Sequence, residues 1–355
     1  MDSLTELNHQ AAGHPDCMQT VDGSLFAKLT TQQEIDFYNA FQQERQGEIE
    51  EEIDDERIRL QDWMPVYIGN LVCGVTKELE QTGQVDEKIL KLARDVEPVM
   101  NNLQQGNDNK QYILLENLLY GYNKPSILDI KLGSKLYDSF ASDSKRQRLE
   151  KVSQETTSGS LNFRICGMKI LSNEIPQITL QSNIPINEVI EIDNSGQDTY
   201  LAFNKYFGRG LTKDTIKDGL KIFFLNNNLE HMIQKKILQN FHTRLILLYN
   251  CLLEEKIESI SSSLLFIFEN DIQRWKSLDY NDPVMADSPF LNEQEEEEEE
   301  DTQEETNRQL SRLALIDFAH SKKLDPTDPR KYDENIVKGI HSLIETISEI
   351  LDEIS

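Results

Sequence analysis

Residues 125–133 read Pro125-Ser-Ile-Leu-Asp129-Ile-Lys131-Leu-Gly133. Asp and Lys two apart on an extended segment point to the same side. Pro125 and Gly133 fix the backbone at either end. A carboxylate beside an ammonium suits phosphoryl transfer, the first orienting or deprotonating a hydroxyl and the second neutralising the moving phosphate. On spacing alone, a surface turn with an incidental ion pair is the commoner explanation. The rest of the chain has to decide.

Working outward, Leu315-Ile316-Asp317-Phe318-Ala319-His320 is an apolar strand ending in Asp-Phe. A kinase-like fold holds its metal-binding carboxylate at such a place, although taken alone a strand-end Asp is more often a cap on the next turn. Lys28 closes a short strand at 24–29, where kinase-like enzymes keep a lysine against nucleotide phosphates, although a single strand lysine is usually only solvated. Ala11 to His14 could form a nucleotide-covering turn, but no Gly-x-Gly-x-x-Gly is present. Gly-x-x-x-x-Gly-Lys-Ser/Thr and His-Arg-Asp are missing too, which disfavours a P-loop enzyme and an ordinary protein kinase.

The chain has 355 residues, 36 Lys and Arg against 63 Asp and Glu, and a formal charge of −27. That balance argues against direct nucleic-acid or membrane-surface binding. The charge is concentrated. Glu293–Glu305 holds ten acids and no base, and Glu44–Arg57 holds eight acids and two bases. Such runs repel themselves and stay solvated. By contrast Lys131–Lys169 carries eight bases and four acids. Lys145, Arg148 and Lys151 recur every three residues and share a helix face. Lys205, Arg209, Lys213 and Lys217 make a second basic stretch. These are either solvated helix faces or the wall of a site for a compact polyanion.

Cys17, Cys73, Cys166 and Cys251 include no Cys-x-x-Cys, so zinc and redox motifs are unsupported and reduced thiols are expected, as in cytosol or nucleus. The N-terminus lacks a signal-peptide pattern, and no stretch approaches the ~20 apolar residues that span a bilayer. The expectation is a soluble intracellular protein.

Apolar periodicity predicts helices over 34–41, 143–152, 212–224 (capped by Thr212 or Asp214), 229–260 and 335–351. Strands are predicted over 24–29, 65–72, 111–116, 162–170, 263–269 and 313–318. Residues 44–60, 76–109 and 172–198 read as loops, and 284–308 as an acidic disordered loop. Strands early and helices late give an α+β, two-lobed fold rather than a doubly wound sheet, with lobes at 1–117 and 118–355.

Taken together, Pro125-x-x-x-Asp129-x-Lys131-x-Gly133, then Ser261-Ser262-Ser263-Leu264-Leu265-Phe266, then Ile316-Asp317-Phe318, in that order, resemble the three motifs of the inositol polyphosphate kinase family. The resemblance covers nearly the whole chain. It is nearest to the family's fungal multikinase branch, on Leu115 to Gly121, Phe207-Gly208-Arg209, Thr212 to Gly219 and Asp317-Phe318-Ala319-His320. Hexakisphosphate kinases share the last of these, and Phe266 and Glu269 lean toward the multikinase branch.

The resemblance implies a distantly protein-kinase-like fold with ATP at the lobe junction, and use of ATP and Mg²⁺. It implies that Lys28 meets ATP phosphates and that the backbones of Glu116 and Leu118 hold adenine. Asp129 would sit at the junction of ATP and substrate, orienting the accepting hydroxyl as the candidate base, Lys131 bind the transferring or neighbouring phosphate, and Asp317 hold Mg²⁺ in the ATP site. Lys145, Lys169 and His320 match substrate-phosphate contacts, with Arg148 and Lys151 as neighbours; Lys169 stands where some animal members have Arg. The implied activity converts inositol 1,4,5-trisphosphate to tetrakis- and pentakisphosphates, the alternative being a hexakisphosphate kinase that makes pyrophosphates. The fungal branch also implies a scaffold role with MADS-box partners in arginine-responsive transcription. A monomer in nucleus and cytoplasm is expected.

Overall fold

The sequence places Asp129 and Lys131 on an extended, doubly apolar segment, and in the computed structural model that segment is a central strand. The structure describes residues 4–7, 9–11, 17–50, 57–71, 111–172, 174–181, 184–285 and 309–354. The predicted excursion at 76–109, most of the 284–308 tract, and Ala12 to His14 lie outside them. The chain divides into two compact units that part between Tyr120 and Gly121.

The first unit is built on a five-stranded antiparallel sheet. Its strands are β1 (Leu4–Glu6), β2 (Met18–Thr20), β3 (Leu25–Thr30), β4 (Tyr67–Leu71) and β5 (Gln111–Glu116), in the order β1-β2-β3-β5-β4. β1 and β2 are too short for alternation to announce them. Helix α1 (Gln32–Glu50) buries Ile35, Tyr38 and Phe41, the i, i+3, i+6 stripe that drives it onto the unit. It runs on into the acidic stretch predicted as a loop or frayed end, as far as Glu50. Residues Glu56–Met64, assigned from sequence to the first lobe, cluster with the second unit instead. The reason is burial: Leu60 and Trp63 of a 3-10 turn (Leu60–Trp63) are 0% and 2% exposed.

The second unit holds a six-stranded antiparallel sheet of β6 (Pro125–Leu132), β7 (Phe163–Leu171), β8 (Ile190–Asp193), β9 (Tyr200–Phe203), β11 (Ser263–Glu269) and β12 (Ser311–Ile316). Their order is β12-β11-β6-β7-β9-β8. Strands β10 (Ile257–Ser259) and β13 (Ser321–Lys323) form a separate pair. Helices α2 (Asp143–Glu155) and α3 (Thr157–Leu161) follow β6, and α4 (Ile186–Val189) leads into β8. Then come α5 (Lys205–Gly210), α6 (Ile216–Leu225), α7 (His231–Glu254), α8 (Ile272–Ser277) and α9 (Glu334–Ile354).

One face of this sheet is the core. Leu128, Ile130, Ile165, Leu264, Phe266 and Phe268 are fully buried there. Phe223 of α6 meets Phe268 with ring centroids 5.0 Å apart, and Phe241 of α7 meets Phe266 at the same 5.0 Å. Helix α9 packs on α7, α6 and the sheet. With helices covering one face, the polar residues alternating along the strands point to the other.

Several predicted boundaries move. The region 172–198 is not all loop: it contains α4 and edge strand β8, whose four residues are too few to show a period. The helix predicted to begin at Thr212 begins at Ile216, with Thr215 as its cap residue and no side-chain capping bond. Thr212 lies in the preceding turn, where its N–H donates to the Thr215 hydroxyl. The helix predicted to run to Ile260 stops at Glu254 because Ile257–Ser259 pairs with β13, although Ile257 and Ile260 continue the apolar spacing. Strand β9 and helix α5 were not foreseen.

Candidate active site

The surface-turn reading of Asp129 fails, since the residue sits mid-strand between two hydrogen-bonded neighbours. Asp129 is opposite Leu265 on β11 and Gly167 on β7. Lys131 is opposite Ser263 and Arg164. Arg164 and Lys169 are five apart and would face opposite ways on a regular strand. The register of β7 slips between Ile165 and Gly167, leaving Cys166 as an extra residue, and that bulge returns both cations to the Asp129 face.

Asp317 follows directly on Ile316, whose partner Ser263 is also the partner of Lys131. It adopts the left-handed region with φ 67°, costly for a residue with a Cβ and a mark of a constrained site. Its charge reaches Asp129. Burial, then Asp317, pushes the Asp129 carboxyl up to about 6, while Lys131, Ser263 and Arg164 pull it down. Asp129 Oδ1 is buried without a hydrogen-bond partner. Buried polar atoms are rarely left so, unless a ligand completes them. The Lys131 ammonium donates to the Ser261 carbonyl at 2.7 Å, and Ser261 itself has φ 62°.

Two carboxylates with an orphaned oxygen fit Mg²⁺, which typically takes one or two carboxylates and completes its shell with water and substrate phosphates. Among the described residues no group of three or more His, Cys, Asp or Glu could hold a metal alone. A Mg²⁺ on one or two carboxylates leaves coordination positions for phosphate oxygens, as in phosphoryl-transfer enzymes.

The remaining predicted residues fall into separate groups. His320 Nδ1 is 2.6 Å from Asp138 Oδ2. Burial tends to raise the Asp138 carboxyl, but His320, the Phe140 N–H and Lys145 hold it below its usual range. Asp138 thus joins Lys145 and His320, and sequence reading missed it because nothing local distinguishes an Asp in a loop. Lys169 is paired with Asp193 at 2.6 Å. Arg148 and Lys151 are exposed on α2, and Lys151 faces Glu155 at 3.8 Å. In the second basic stretch Lys217 is taken up by Glu349 and Glu353 of α9 at 3.1 and 2.7 Å.

In the first unit, Lys28 lies 2.9 Å from Glu34, which is only 1% exposed, on the first turn of α1. A strand lysine paired to a helix glutamate is how kinase folds hold the lysine that meets nucleotide phosphates. Glu34 was not singled out from sequence. Its signal was an acid in a first turn just after the lysine strand. The Glu116 N–H donates to the Val66 carbonyl at 2.9 Å. Leu118 is buried in the following turn, which Asn117 ties to the Gly23 carbonyl at 2.7 Å.

Comparison with known proteins agrees with this geometry. A family model described as inositol polyphosphate kinase matches residues 112–348. The chain is 38% identical to an inositol polyphosphate multikinase of Saccharomyces cerevisiae, over 96% of each chain. It is 27% identical to one of Schizosaccharomyces pombe, again over 96% of each. Its fold matches a crystal structure of the S. cerevisiae inositol phosphate multikinase in complex with ADP and Mn²⁺, with a TM-score of 0.67 and 36% identity, covering 93% of this chain and all of that one. A central-strand Asp-x-Lys, a serine strand beside it and an Asp-Phe at the next strand's end, in a chain this similar along its length, make it a member of the inositol polyphosphate kinase family.

Proposed function

We propose that the protein transfers the γ-phosphoryl group of ATP to hydroxyls of inositol polyphosphates, taking inositol 1,4,5-trisphosphate to tetrakis- and pentakisphosphates. The observation that carries this is the Asp129–Lys131–Asp317 cluster on the face of the second unit's sheet away from its core helices. Asp129 orients the accepting hydroxyl and takes its proton as the oxygen bonds to phosphorus and ADP leaves. The Lys131 ammonium neutralises the phosphoryl group in flight. Asp317 would hold Mg²⁺, which when bound supplies further charge neutralisation on the phosphates.

His320 holds a substrate phosphate with Nε2, its Nδ1 being engaged by Asp138. Lys145 and Lys169 extend this phosphate set, with Arg148 and Lys151 as outlying neighbours. Lys28, Glu116 and Leu118 are assigned to the nucleotide. Supporting the reading are the family membership and the ADP and Mn²⁺ bound by the structural relative. Purified protein given inositol 1,4,5-trisphosphate and ATP-Mg²⁺ should yield tetrakis- and pentakisphosphates. No product, where the S. cerevisiae relative is active, would sink the reading. Turnover of the hexakisphosphate instead would favour a pyrophosphate-forming kinase.

The acidic tract reads first as a solvated linker, and the resemblance to the fungal branch is the ground for a second role. We infer that Glu293–Glu305 meets a basic transcription-regulator partner of the MADS-box type in arginine-responsive control, the protein acting in nucleus and cytoplasm. Flanking residues are pinned: Asp282 accepts from the Leu310 and Ser311 N–H groups at 3.2 and 3.0 Å. Deleting residues 293–305 tests the role. Lost partner binding with kinase activity intact supports the role, and unchanged binding removes it.

A further inference from the structure

Lys169 does not reach toward Asp129. Its ammonium is 2.6 Å from Asp193 Oδ2 and 5.5 Å from the centroid of the Tyr200 ring. The strand order sets β7 between β6 and β9, with β8 beyond β9. Lys169 therefore leans away from the catalytic strand, over β9, to the edge of the sheet. Its partner on β9 is Ala202, whose methyl group leaves room for the passage. The Lys169 side chain is 7% exposed and that of Asp193 is 26% exposed.

Asp193 is itself built in. The Ser195 N–H and hydroxyl donate to its Oδ1 at 2.9 and 2.6 Å, leaving Oδ2 for Lys169. A cation that the family assigns to a substrate phosphate is thus held by one of the protein's own carboxylates.

We propose that Asp193 is a positioning residue that competes with substrate for Lys169 and thereby sets acceptor specificity. Its single negative charge occupies the ammonium until a phosphate, carrying more charge, exchanges with it. Inositols with few phosphates have none to spare for that exchange, so Asp193 discriminates against them and favours acceptors already more highly phosphorylated. This rests on the kinase reading above.

The test is steady-state kinetics with inositol 1,4,5-trisphosphate and with 1,3,4,5-tetrakisphosphate. The proteins are the unsubstituted chain, Asp193→Asn, Lys169→Ala and the double variant. Asp193→Asn should lower KM for the trisphosphate about three- to tenfold, and less for the tetrakisphosphate. The KM for ATP should not move. In the Lys169→Ala background the Asp193 substitution should do nothing. Asp193→Ser, which also removes the charge, should repeat the result if the Asn variant folds poorly. An unchanged or raised KM for the trisphosphate, or an effect that persists without Lys169, overturns the proposal. No turnover by the unsubstituted chain would instead remove the kinase reading, and this inference with it.

Discussion

Replacing Asp129 by Asn should abolish turnover and stabilise the protein. Asp129 is 8% exposed, and burial together with Asp317 raises its carboxyl from 3.8 to about 6. Between those values the native state binds the proton that the unfolded chain has already released. Stability contributed by this group is therefore lost as pH rises through that window. A shift of roughly two units corresponds to about 3 kcal/mol. Asparagine keeps the shape and cannot ionise, so it escapes that loss. Urea unfolding in magnesium-free buffer reads the difference. The chain's two tryptophans, Trp63 and Trp275, both belong to the second unit and are buried, so their fluorescence follows the unit that holds Asp129. At about pH 4 the variant and the unsubstituted protein should unfold alike. At about pH 8 the variant should be more stable by up to about 3 kcal/mol. An Asn variant less stable at the higher pH, or a difference that does not change with pH, would refute the claim that Asp129 is held in a strained, ionised state.

Lys131→Ala and Asp317→Asn should each cut kcat by at least about a hundredfold with the fold retained by circular dichroism; near-normal rates would show that their roles are misassigned. Asp282→Ala should destabilise the second unit by about 3–5 kcal/mol in urea unfolding, because it strands the Arg244 guanidinium, whose side chain is 4% exposed, without its carboxylate. KM for the inositol phosphate should rise as salt is added, since the ligand is strongly anionic, while a flat response would argue against the cationic contacts.

What was legible in the sequence was mostly what is local. The strand at Ser263–Glu269 appears where its apolar run put it, because β-branched and aromatic residues between breakers leave little choice. Asp129 and Lys131 could be placed on one side of an extended segment from their spacing alone. Their surroundings could not. The bulge at Cys166, which brings Arg164 to the same face, is a property of pairing between two strands and has no signature within either. Nor do Asp138 and Asp193 stand out. Each is an acid in a polar stretch until the fold sets it 2.6 Å from a residue already under suspicion. Periodicity also misled where tertiary pairing overrode it, as at Ile257, which carries on a helical spacing from within a strand.

The central claim is that this cluster moves phosphate from ATP onto inositol polyphosphate hydroxyls. The most direct test is the product profile of the purified protein with ATP-Mg²⁺ and the tris-, tetrakis- and hexakisphosphates of inositol in parallel, with Asp317→Asn as the blank. Stepwise conversion of the trisphosphate to tetrakis- and pentakisphosphate, lost in the blank, is the predicted result. An inert trisphosphate, or equal product from the Asp317→Asn protein, would contradict it.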